Sequence, residues 1–163
     1  MRKFVLTTLA VSAAILFGAE VRAQPAPPPD YGPGMSLEIA KKAVEAAIAE
    51  AAKNNWKLAI AVTTNGGHLV HFSRMDQTQF GSIAIAQHKA RAAAKFKRPT
   101  KAFADAIGAN PANVALLTLD DISASEGGIP LMKDGKMIGA IGCSGATGAQ
   151  DGVACTAGAN AVK

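Results

Sequence analysis

Two hairpin signals separated by helical segments do most to limit what this chain can fold into. Leu58 to Thr63 is a short apolar run suited to a buried strand, Asn65-Gly66-Gly67 is turn chemistry, and His68 to Ser73 reads as the returning strand. Ile129 to Met132, the turn Asp134-Gly135-Lys136, and Met137 to Ser144 form a second such unit. Hairpin strands pair antiparallel, whereas a doubly wound fold needs parallel strands joined through helices. The expected class is therefore α+β, in one domain, with no internal repeat.

Helical patterns fill the spaces between. Ser36 is placed to cap a helix whose stripe runs Leu37, Ala40, Val44, Ala47, Ile48 and Ala51, ending near Asn54. A second helix spans Ser82 to Phe96 and stops before Pro99, and Thr100 can cap a short third one through Ile107. Residues 108–128 are ambiguous: Asn110-Pro111 is a turn, and Val114 to Leu119 fits helix or strand. A glycine-rich bend, Gly145 to Gly148, leads into a last helix from Ala149 or Gln150. Its small residues Ala154, Ala157, Gly158 and Ala161 allow close approach to a sheet.

The helix of residues 82–96 carries one misplaced charge. At 100° per residue, Gln87, His88, Arg91 and Lys95 share a polar arc, while Lys89 falls opposite, with Ile85, Ala92 and Phe96. An ammonium drawn inward needs a partner or loses its proton. Lys89 is thus either snorkelling or placed in a polar pocket.

The first residues read as a secretory signal rather than as fold. Arg2 and Lys3 precede the apolar run Phe4 to Gly18, and Val21-Arg22-Ala23 has the small-residue spacing of a cleavage site after Ala23. The run is short for a membrane span, so no stable membrane insertion is expected. Cleavage lowers Lys plus Arg from 17 to 14 and Asp plus Glu from 12 to 11, leaving a net charge of +3. The remaining basic residues are scattered apart from Lys95-Phe96-Lys97-Arg98 at a helix end, which argues against nucleic-acid binding. Residues 24–35, rich in Pro and Gly, read as a flexible or polyproline-like leader to a domain of residues 36–163. Cys143 and Cys155 lack metal-site spacing; in an exported chain they are either a disulfide or two small buried thiols.

Several marks then fall in order: Arg74-Met75-Asp76 after the first hairpin, Lys89-Ala90 in the middle helix, Gly127-Gly128-Ile129-Pro130, and Gly139-Ala140-Ile141-Gly142-Cys143-Ser144-Gly145 followed by Asp151. This ordered set resembles the GlcG/HbpS-like family over residues 36–163. The family includes haem-binding extracellular proteins, glycolate-utilisation accessory proteins and the C-terminal domain of some corrinoid adenosyltransferases. The resemblance implies a profilin-like fold, a five-stranded antiparallel sheet between helical layers. It also implies dimer-based homo-oligomers, often octamers, with haem binding in some members and haem degradation attributed to the group. Two departures are readable: Thr64 stands where many members carry Asp after the first strand, and the first helix holds no histidine.

Among candidate site residues, Lys89 with Asp76 or Asp151 leads. Glycines near 127–128 and 142–145 would let backbone N–H groups approach a bound anion. Arg74 would add a bidentate grip. The ligand-binding set is then Arg74, Asp76, Lys89, Gly127, Gly128, Ser144, Gly145 and Asp151. A structural ion pair tying helix to sheet explains Lys89 equally well. His68 and His71, three apart on a strand, point to opposite faces, which argues against both chelating one metal. His71 is the candidate haem-iron ligand if its face is inward, and His88 sits on the polar arc where an oligomer contact fits. Ser144 has no histidine after it, which excludes the nucleophile-elbow triad order, and Cys143 has no identified activating base. The leading expectation is an exported oligomeric protein binding haem or a similar tetrapyrrole, with haem degradation as an added activity. The alternatives are a small carboxylated metabolite bound or converted at Lys89, in a glycolate-type accessory role, or a purely structural accessory subunit.

Overall fold

A computed structural model describes residues 27–163; the expected signal segment, residues 1–23, lies outside the described part. The elements are α1 (Leu37–Lys53), β1 (Ala59–Thr63), β2 (Leu69–Arg74), α2 (Gly81–Phe96), α3 (Lys101–Ala109), a 3₁₀ turn (Pro111–Thr118), β3 (Gly128–Lys133), β4 (Lys136–Ser144) and α4 (Gly148–Asn160). The strands form one antiparallel sheet in the order β2-β1-β4-β3. Among the described residues the sheet thus has four strands, not the expected five. Pro130 is tolerated because β3 is an edge strand.

The pleat sorts the sheet into two faces. Leu58, Ile60, Val62, Ile141 and Cys143 pack with Ala40, Ala43, Val44 and Ala47 of α1 and Ala154 and Cys155 of α4. Ala59 and Ala61 face the other way, onto Ala86 and Ala90 of α2. Helices therefore cover both faces. Small residues set the spacing: an added Cβ on Gly142 would lie 2.1 Å from the Ala86 carbonyl oxygen, and one on Gly158 would lie 2.6 Å from that of Ala43. Glycine here lets a helix backbone rest directly on its neighbour.

Both hairpins form within a residue or two of their expected bounds. The last helix begins at Gly148, one residue before expected, because Thr147 and Gln150 make a reciprocal capping box. Three local expectations are corrected. Thr100 does not cap α3; its hydroxyl donates to the Ser125 carbonyl at 2.6 Å and accepts from Gly128 N–H at 2.9 Å, tying the entry of β3 to α3. The described part of the leader is docked: Met137 N–H donates to Asp30 O at 2.9 Å and Gly32 N–H donates to Met137 O at 2.6 Å. Pairing with β1 stops at Ala140, so the leader supplies partners to a stretch of β4 that β1 does not reach. Ile85, placed on the buried arc by periodicity, is 43% exposed; the sheet-facing row is Ser82, Ala86, Lys89, Ala90 and Ala93.

The open cysteine question resolves as a disulfide. Cys143 faces α4, and Cys143 and Cys155 are bonded with Cα atoms 5.7 Å apart.

Candidate functional site

Lys89 is drawn inward as its helical position demands, and is 1% exposed. Its Nζ donates to Asp151 Oδ2 at 2.8 Å and to the Cys143 carbonyl at 3.1 Å. Asp151, 2% exposed, lies in the first turn of α4, where the helix dipole favours an acid. Its other oxygen accepts from Ala146 N–H at 3.1 Å. Burial pushes the Asp151 carboxyl above its usual range, outweighing the hydrogen bond and charge of Lys89. Gly127 closes over the pair: with φ at +123°, its added Cβ would sit 2.8 Å from Asp151 Cβ and 3.0 Å from Lys89 Nζ. Gly128 likewise abuts the Lys89 carbonyl. The pair ties α2 to α4 past the end of β4.

The remaining members of the expected constellation divide. Ser144 donates to Ser82 Oγ at 3.2 Å inside the fold, and Gly145 adopts φ +151° at the bend before α4. Arg74 and Asp76 do not join Lys89. Register places Ala59 between Arg74 and Ser144, two strand spacings of about 5 Å each. Arg74 instead donates to the Thr78 carbonyl at 3.2 Å and stacks 5.1 Å from the Phe80 ring centre. Asp76 is exposed in the turn that follows β2. His71 is paired with Val62, on the sheet face that carries α1, and so lies across the sheet from α2.

The outer surface of α2 carries a different arrangement. Phe80, Ile83, Ala84, Ile85, Gln87, His88 and Arg91 line a groove of about 700 Å³, within the roughly 300–1,000 Å³ range of small-ligand sites. Phe80 is 80% exposed at the mouth, fixed from behind by Arg74. The surface grades from apolar at the N-terminal end of α2, through His88, to Arg91. Sequence reading missed this site, although a signal was present. Phe80, Ile83, Ala84, Gln87, His88 and Arg91 recur at spacings of three and four, which puts large apolar residues on the arc labelled polar.

Arg91 continues into a second, polar recess of about 370 Å³ lined by Gly66, Gly67, His68, Leu69, Lys95 and Asp121. Asp121 Oδ1 accepts from Arg91 at 3.5 Å and Oδ2 accepts from Lys95. The Lys95 hydrogen bond, then the two positive charges, hold the Asp121 carboxyl below its usual range. Gly67, at φ +83°, is required twice over. Its conformation is left-handed, and an added Cβ would come within 2.8 Å of Arg91 Cγ and 3.2 Å of Lys95 Cε. The first hairpin turn therefore rests on the two basic stems. Among the described residues no group of three His, Cys, Asp or Glu side chains is placed to hold a metal ion. No described helix is long and apolar enough to cross a membrane.

Comparison with known proteins agrees with this architecture. The model of the family described as "Haem degrading protein HbpS-like" matches residues 35–160. Protein GlcG of Escherichia coli (strain K12) is 42% identical over 110 residues, spanning 68% of this chain and 81% of that protein. The structure of a double mutant of HbpS from Streptomyces reticuli superposes with a TM-score of 0.73 at 25% identity, covering 94% of this chain and 99% of that one. A haem complex of PduOC gives a TM-score of 0.72 at 23% identity, over 80% and 96% of the two chains, and supports the fold alone. With the sheet, its helical layers and the ordered motifs in agreement over residues 35–160, the chain belongs to the HbpS-like family.

Proposed function

We propose that this protein binds haem or a similar tetrapyrrole in the groove over α2, as an exported homo-oligomer. The carrying observation is the groove itself: an apolar wall of exposed Phe80 and Ile85 with half-buried Ile83, then His88, then a basic end at Arg91. A flat, largely apolar macrocycle with a central metal and acid side groups matches those three features, since imidazole is a good iron ligand. The family's description supports this ligand class. A carboxylated guest at Lys89, the alternative consistent with the resemblance to GlcG, would have to displace Asp151, whose two oxygens already accept from Lys89 and Ala146. The outer face is therefore the better site.

His88 replaces His71 as the proposed iron ligand. Titrating purified protein with haemin should give a Soret shift that His88→Ala abolishes or moves and His71→Ala leaves in place. The reverse pattern would put the ligand on the other face of the sheet, and no shift in any variant would remove the reading. Loss of the bound Soret band under reductant and oxygen would reveal haem degradation as an added activity. Export is supported by Arg2, Lys3 and the apolar run that follows; the mass of protein recovered outside the cytoplasm should correspond to a chain starting at Gln24. The proposed assembly is dimer-based, as the exposed apolar wall suggests, and light scattering of the purified protein measures it.

A further inference from the structure

The polar recess beside the groove contains more positive charge than its one carboxylate balances. Arg91 and Lys95 both converge on Asp121, and His68 stands on the same wall. The two stems pack against Gly67, so the cations are positioned by the fold and not only by the acid. Asp121 comes from a different segment, the loop between the 3₁₀ turn and β3, and its backbone is left-handed at φ +63°. Arg91 lines both the recess and the apolar groove, so the two adjoin at that side chain.

We infer that the recess is the subsite for the acid groups of the ligand, and that Asp121 is a resident carboxylate that competes with them for Arg91 and Lys95. This rests on the groove reading proposed above, and names what that reading leaves open: the site selects a carboxylated macrocycle, and Asp121 tunes how tightly it is held. A carboxylate of the guest takes the forked donors of Arg91 and the ammonium of Lys95 as Asp121 is released to solvent. Because Arg91, Lys95 and Asp121 are each partly exposed, the internal pair is weak enough to be exchanged.

The test compares haemin with haemin dimethyl ester, which keeps the ring and iron but has no free acid. Asp121→Asn removes the charge and keeps a residue that tolerates the left-handed backbone. It should tighten haemin roughly two- to five-fold, the range in which an exposed ion pair contributes, and leave the ester unchanged. Lys95→Gln, which does not line the apolar groove, should weaken haemin by a similar factor and also leave the ester unchanged. Equal haemin affinity in the wild type, D121N and K95Q would overturn the subsite while the groove reading stands. Equal shifts for haemin and ester would overturn it too, since the effect would then not depend on the acid. Failure of the wild type to bind either compound would remove the groove reading and the subsite with it.

Discussion

Lys89 and Lys95 both lie on α2 and both pair with an aspartate, one inside the fold and one at its surface, and their energetics follow from that. Lys89 and Asp151 are both withdrawn from water, so the pair contributes little net stability while each member depends on the other. Asp151→Asn should cost about 3–5 kcal/mol in chemical denaturation, because it leaves a buried ammonium uncompensated. The double variant Lys89→Met/Asp151→Asn should be more stable than that single variant. On the surface, Asp121 has its carboxyl depressed chiefly by the Lys95 hydrogen bond. A depressed acid contributes stability above its unfolded value, and loses it as pH falls through the folded one. A carbon-detected titration should therefore place the Asp121 midpoint below 3.8, and D121N should remove any salt-sensitive stability that persists to that pH. The inward turn of Lys89 was legible because helical periodicity fixes its angle. Its partner was not: Asp76 and Asp151 are equivalent to a sequence reader, and only the arrival of α4 beside α2 selects Asp151.

Elements were legible where the chain carries a local chemical signal. The hairpins have turn residues and apolar runs, and so their strands were found; residues 108–128 have no periodicity, and although Asn110 caps the 3₁₀ turn by accepting from Ala112 N–H, that turn buries no side chain. Contacts distant in sequence were not legible. The disulfide depends on β4 and α4 packing face to face, and the docking of the leader depends on where β1 stops. Two predictions belong at this scale. Replacing both Cys143 and Cys155 by Ala should cost about 2–4 kcal/mol, seen as a lower denaturation midpoint. Gly142→Ala should cost about 3 kcal/mol or more, since its Cβ would meet the backbone of α2, which cannot move without leaving the sheet.

At the scale of the molecule, one face of the sheet is closed by α1, α4 and the disulfide, and the other packs against α2. That leaves the outer side of α2 free to present a graded surface. Sequence reading sought the site beneath the helix, because an unusual residue drew attention inward. The structure has a groove of about 700 Å³ on top, built from ordinary residues in an informative order. Function at this level depends on whether that surface, and not the opposite face with His71, holds the ligand. Amide NMR of the isotopically labelled protein with ferric haemin, against gallium protoporphyrin as the diamagnetic control, maps the iron directly. Selective broadening of residues 80–95 with β2 residues near His71 left sharp is the predicted result. Broadening centred on His71, or none beyond the control, would contradict the account.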